Sequence, residues 1–157
     1  MGAAAAVAIG LGTSTCAPAV DVAASLSIES PATGWVPLDA TAGVSKLVPA
    51  VTFKLRNVSN AALPVVQVNA IFHRGRAGDE WGTAFRTAAG SEGLKPGAST
   101  VYLLLASQRG YTGTDAPADL IENSQFVDAR VDVYGRYGSR AWAKLAEFPV
   151  TRVLLNP

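Results

Sequence analysis

The 157-residue chain is 49% hydrophobic and 16% charged, and its formal net charge is +1. That length suits one domain with a core that needs no metal or disulfide, and the near-neutral balance excludes a dedicated nucleic-acid binder. The single cysteine excludes an internal disulfide framework.

From Gly2 to Val20 no residue is charged. The most apolar part, "AAAAVAIGLG" from Ala3 to Gly12, has the length of a signal-peptide core and is too short for a membrane span. Residues 1–19 are therefore expected to act as an export or anchoring segment. "CAPA" offers cleavage after Ala19, and Cys16 offers an alternative as a lipid-anchor residue. An uncleaved alanine-rich arm is the bland reading. Export places the protein in the periplasm or at the outer face of a membrane, anchored or secreted.

Residues 20–157 read as a single domain with period-two patterning. Val20, Val22, Ala24, Leu26 and Ile28 alternate with more polar neighbours, which predicts a strand. "PATGWVPLDATAG" follows as a loop or irregular edge, broken by Pro31 and Pro37. In "VTFKLRN", Val51, Phe53 and Leu55 point inward while Thr52, Lys54 and Arg56 point out. "NVSNAALP" is turn chemistry. Val66, Val68, Ala70 and Phe72 share a face of the next strand, and "WGTAFRTA" predicts a shorter one. "GLKPGAST" turns into the apolar strand "VYLLLAS". "TDAPADLIENS" is the one helical stretch, with Asp115 as its expected cap, Pro117 in the first turn and Leu120 and Ile121 docking it. Val127, Ala129, Val131 and Val133 alternate with Asp128, Arg130 and Asp132. "GRYGSR" then closes a hairpin into "AWAKLAEFPV".

This pattern predicts an all-β fold: an immunoglobulin-like antiparallel β-sandwich of about seven to eight strands with one short helix. The stretch from "VTFKLRNVSNAALPVVQVNAIF" through "LKPGASTVYLLL" resembles the FxLYD-type and related immunoglobulin-like domains of bacterial envelope proteins. Asn57 ends one strand, Phe72 ends the next, and Leu94, Pro96 and Gly97 form a Leu-x-Pro-Gly turn. "IFHRG" stands where that family tends to carry an aromatic followed by Asp. The resemblance implies an extracytoplasmic, non-catalytic role.

No nucleophile motif, P-loop or dinucleotide fingerprint occurs. His73 is the only histidine and reads as a strand-end rim residue. With one His and one Cys, neither a blue-copper nor a tetrahedral zinc set can be assembled. Asp79 and Glu80 form a loop pair able to bind Ca²⁺ weakly. Asp128 and Asp132 read as a solvated outer face, too far apart for glycosidase chemistry. Asn57-Val58-Ser59 matches a glycosylation sequon. Residues 46–86 carry six basic side chains against two acidic ones, a mild basic patch or an ordinary solvated face.

The aromatics provide the candidate contact residues. Tyr111 and Tyr137 lie in expected loops, with Arg109, Arg136 and Arg140 nearby in sequence and Trp81 after the acidic loop. Tyr and Arg are enriched at binding hot spots. Trp35 and Trp142 are weighed as core or platform residues. The expected function is that of a non-catalytic extracytoplasmic accessory subunit. It would contact the subunits of a larger membrane-protein complex, of energy-transducing (photosynthetic or respiratory), transport or secretion type. The alternative is a secreted carbohydrate-binding module. No enzyme activity, cofactor, metal, nucleic acid or small-molecule substrate is expected, and the N-terminal segment is the expected membrane contact.

Overall fold

Inward-facing alternation builds two antiparallel sheets. The computed structural model describes residues 21–38, 43–75 and 78–155; Cys16 and the rest of the expected export segment lie outside them. The elements are α1 (Val22–Ser25), β1 (Leu26–Leu38), β2 (Ser45–Asn57), β3 (Val66–Arg74), β4 (Glu80–Ala89), β5 (Leu103–Ala106), β6 (Tyr111–Gly113), α2 (Pro117–Glu122), β7 (Ala129–Tyr137) and β8 (Ala143–Val150). One sheet runs β1-β2-β5, with β6 also on β2; the other runs β4-β3-β7-β8. This is the all-β sandwich that the alternation predicts.

The core lies between the sheets. Val51, Phe53 and Leu55 of β2 meet Val66, Val68, Ala70 and Phe72 of β3 and Val131 and Val133 of β7, all at 0% exposure. Burying each such side chain is worth about 1.5–3 kcal/mol. One end of the sandwich is plugged by aromatics. Trp35 is fully buried, with its ring 4.5 Å from Phe126 and 5.8 Å from Trp81. Tyr111 leans on Phe126 at 5.0 Å. Helix α2 closes the same end through buried Leu120 and Ile121.

The other end is locked by Asn57, which is fully buried. Its Nδ2 donates to Ala61 O at 2.8 Å and to Leu94 O at 2.7 Å. Its Oδ1 accepts from the backbone and hydroxyl of Ser59 at 2.9 and 2.7 Å. One amide thus satisfies the turn after β2 and holds it to the Leu-x-Pro-Gly segment, where Leu63 and Leu94 exchange backbone hydrogen bonds. The sequon asparagine has no free amide in the folded chain.

Several local expectations are corrected. Val22–Ser25 form a helical turn rather than a strand, because the Asp21 side chain accepts from Ala23 N and caps it. The supposed loop around Trp35 is the second half of β1. Pro31 falls where the register shifts between Glu29 and Ala32, and β1 is an edge strand, where a proline removes no needed donor. In β2, Pro49 sits between the β6 ladder, which ends at Leu47, and the β5 ladder, which begins at Ala50. Ala116, not Asp115, occupies the N-cap of α2, and it makes no side-chain cap bond. Pro117 does stand in the first turn.

Candidate interaction surface

The outer face of the β4-β3-β7-β8 sheet gathers the polar residues left over by core alternation. Register aligns Phe85, Asn69, Tyr134 and Lys144 in one cross-strand row, and Thr83, Ile71, Asp132 and Glu147 in the next. His73 lies opposite Arg130 one step further along. Gln67 lies opposite Arg136 on the other side.

The charged half of this face is organised around Asp132, whose side chain is only 9% exposed. Its carboxylate lies 3.2 Å from Arg130, 3.1 Å from Lys144 and 3.2 Å from His73 Nε2. The His73 ring nitrogen is within ion-pair distance yet off the hydrogen-bond line. Glu147 completes the network, 2.6 Å from Lys144 and 3.3 Å from Arg130. The hydrogen bond from Lys144 holds the Glu147 carboxyl below its ordinary range, and the same contact, then that to Asp132, pushes the Lys144 ammonium up. Asp132 is therefore not on a solvated face; side chains of three strands cover it. Asp128 is solvated, 68% exposed, and pairs with Arg152 at 2.8 Å. His73 is a member of the network rather than a bare rim residue.

The other half is aromatic. Arg136 Nε donates to Gln67 Oε1 at 2.7 Å, and its guanidinium lies 4.6 Å from the Trp142 ring. Trp142 in turn reaches Phe85 edge-to-face, 6.2 Å between centroids with 82° between planes. The two side chains remain 38% and 57% exposed. An aromatic–Arg ridge thus crosses the sheet from the β7–β8 turn toward β4. Arg and Trp in this arrangement are the side chains that anchor protein interfaces.

The expected contact residues are scattered. Arg136 belongs to the ridge. Arg140 is exposed in the β7–β8 turn, and Arg109 is exposed in the β5–β6 connection at the opposite end of the sandwich. Tyr137 is not in an exposed loop: it ends β7 facing the core at 8% exposure. Tyr111 lies in β6, half-buried against Phe126. Trp81 is half-buried, with Trp35 on its edge and Arg74 5.9 Å from its ring. Sequence reasoning missed Phe85, Gln67 and Lys144. Their signal was the alternation of "WGTAFRTA" and its neighbours, which does not say which face of an edge strand is covered. Among the described residues no three His, Cys, Asp or Glu side chains gather as a metal site, and no helix is long and apolar enough to cross a membrane.

Comparison with protein-family models, with curated proteins and with solved structures finds no match for this chain.

Proposed function

We propose that this protein is a non-catalytic extracytoplasmic accessory subunit that makes protein–protein contacts within a larger membrane-associated assembly. The observation that carries this reading is the ridge of Trp142, Arg136 and Phe85, in mutual contact on a sheet face yet open to solvent. Large aromatic side chains left exposed in a pre-organised cluster bind with little loss of side-chain freedom. The uncharged segment before Asp21 supports an extracytoplasmic site of action. The resemblance of residues 51–105 to envelope immunoglobulin-like domains supports the same placement.

The test is the native size of the endogenous protein after mild detergent extraction of source-cell membranes. Migration in a large assembly is expected, and intact mass of the same band reports whether Cys16 is acylated, removed or retained. A Trp142→Ala, Phe85→Ala double variant is expected to keep its unfolding midpoint and leave the assembly. Recovery of the wild-type protein as a free soluble species of 16.2 kDa or less would overturn the reading.

A further inference from the structure

The aromatic half of the β4-β3-β7-β8 face holds cations without acids to match them. Register places Thr87, Gln67 and Arg136 in one cross-strand row, and Phe85, Asn69, Tyr134 and Lys144 in the next. Neither row contains an aspartate or a glutamate. Lys144 turns away to Asp132 and Glu147 in the charged half. Those two carboxylates are also paired with Arg130. Among the described residues Arg136 has no ion-pair partner, and neither has Arg140 in the adjoining turn.

Arg136 is nevertheless oriented. Its Nε donates to Gln67 Oε1 at 2.7 Å, and its guanidinium carbon lies 4.6 Å from the Trp142 ring centroid. The first contact engages one edge of the planar group, and the second engages its face. The two Nη groups at the far end have no hydrogen-bond partner among the described residues. Paired Nη–H groups are what a carboxylate accepts from in bidentate recognition, a geometry that a lysine ammonium does not offer. Trp142 carries the same surface on to Phe85, and both rings keep exposed area. A ligand that satisfies this surface therefore joins an anionic, fork-shaped group to an apolar one.

We propose that Arg136 is a carboxylate-binding residue, which takes an aspartate or glutamate side chain of a partner protein while a neighbouring apolar side chain of the same segment covers Trp142 and Phe85. A protein segment supplies both groups at the spacing of adjacent side chains. A free phosphate supplies the anion alone and leaves the rings uncovered. Gln67 acts as the positioning residue for the guanidinium. Arg140 is exposed in the β7–β8 turn, two residues before Trp142, and adds positive charge that draws an acidic segment to this end. This inference rests on the contact-subunit reading and names the chemistry of the partner surface.

The experiment titrates the isotope-labelled full chain with end-blocked peptides that hold one glutamate between two leucines in a glycine–serine background. Magnetic resonance follows the Trp142 indole and Arg136 Nε signals, which are expected to shift together and saturate. Changing the glutamate to glutamine is expected to weaken binding by about tenfold or more, and changing the leucines to serine weakens it as well. Arg136→Lys keeps the charge, removes the fork, and is expected to weaken the glutamate peptide by about tenfold. Gln67→Met leaves Arg136 in place without its holder, and is expected to weaken the glutamate peptide but not the glutamine peptide. Arg109→Gln, at the opposite end of the sandwich, leaves binding unchanged. Unfolding midpoints show that each variant is folded. Absence of a shift at millimolar peptide, equal binding of the glutamate and glutamine peptides, or unchanged binding by Arg136→Lys would overturn the proposal. So would inorganic phosphate that saturates the same signals and displaces the peptide. Peptide binding is independent of the membrane-extraction result. A protein that migrates in a large assembly yet ignores the peptides overturns the carboxylate site alone, and a free soluble protein that binds them overturns the assembly reading alone.

Discussion

Asn57 shows how much one buried polar side chain can hold. Its amide makes two donations and two acceptances within the turn and across to the Leu94 segment. Removal leaves the carbonyls of Ala61 and Leu94 without that donor at a buried site, and each such loss is costly. Asn57→Ala is expected to lower unfolding free energy by about 3 kcal/mol, measured by denaturant titration. Asn57→Asp should be no better, because a carboxylate cannot donate to either carbonyl. The residue was legible in the sequence as a strand end and as a sequon. Its role as a lock was not, because Leu94 stands 37 positions away and only the fold brings it near. Tyr137 makes the converse point: Gly and Ser beside it signal a turn, yet it is the last residue of β7 and faces the core.

Among the elements, the strands with one covered face were the legible ones. In β3, Val66, Val68, Ala70 and Phe72 are buried and the residues between them are not, as alternation requires. β1 was misread because two prolines argue against a strand. An edge position and a register shift remove that objection, and neither is visible before the sheet is assembled. Helix α2 was placed correctly by Pro117, Leu120 and Ile121, but its cap was assigned one residue early. Ala116 has extended dihedrals of φ −62° and ψ 152° and no oxygen to offer. Ala116→Ser is therefore expected to stabilise the protein by about 1 kcal/mol, seen as a higher denaturant midpoint with an unchanged slope. A close approach constrains the connection before β6, where a Cβ on Gly110 would lie 1.9 Å from Leu47 O.

For the molecule as a whole, surface charge is arranged in networks rather than as a binding patch. Glu29 is held below its ordinary range by its hydrogen bond from Ser99 and then by that from Arg56, a contact that ties β1 to β2. Glu147 is lowered by Lys144, and Lys144 is raised by Glu147. A lowered carboxyl contributes stability that is present above its unfolded pKa and lost as pH falls through its folded value. A raised ammonium contributes below the ordinary lysine range, and the contribution is lost as pH rises through its folded value. Stability is therefore expected to be flat across neutral pH and to fall at both extremes. Denaturant midpoints measured across pH in low salt check this. Glu147→Gln should reduce the slope on both sides, because it removes one of the two carboxylate partners of Lys144 as well as a lowered carboxyl. These side chains are in water, so high salt should shrink the effect. The basic excess of residues 46–86 does not gather into one field: Arg56 pairs with Glu29, Arg74 lies against Trp81, and Lys54 lies 4.8 Å from the Tyr102 ring.

Sequence by itself determined the fold class and most of the core, because period-two alternation is a local property and each strand states its own buried face. It also determined the turn chemistry at Asn57 and Leu94–Gly97 and the position of the single longer helix. Tertiary structure alone decided which polar residues meet. Asp132 gathers side chains from β3, β7 and β8, and Trp142 crosses the sheet to Phe85, through strand order and register that no local pattern encodes. Tertiary structure also decided which edge is covered. The chain beyond β8 covers β1 at Trp35, a contact that exists only once the two sheets are packed.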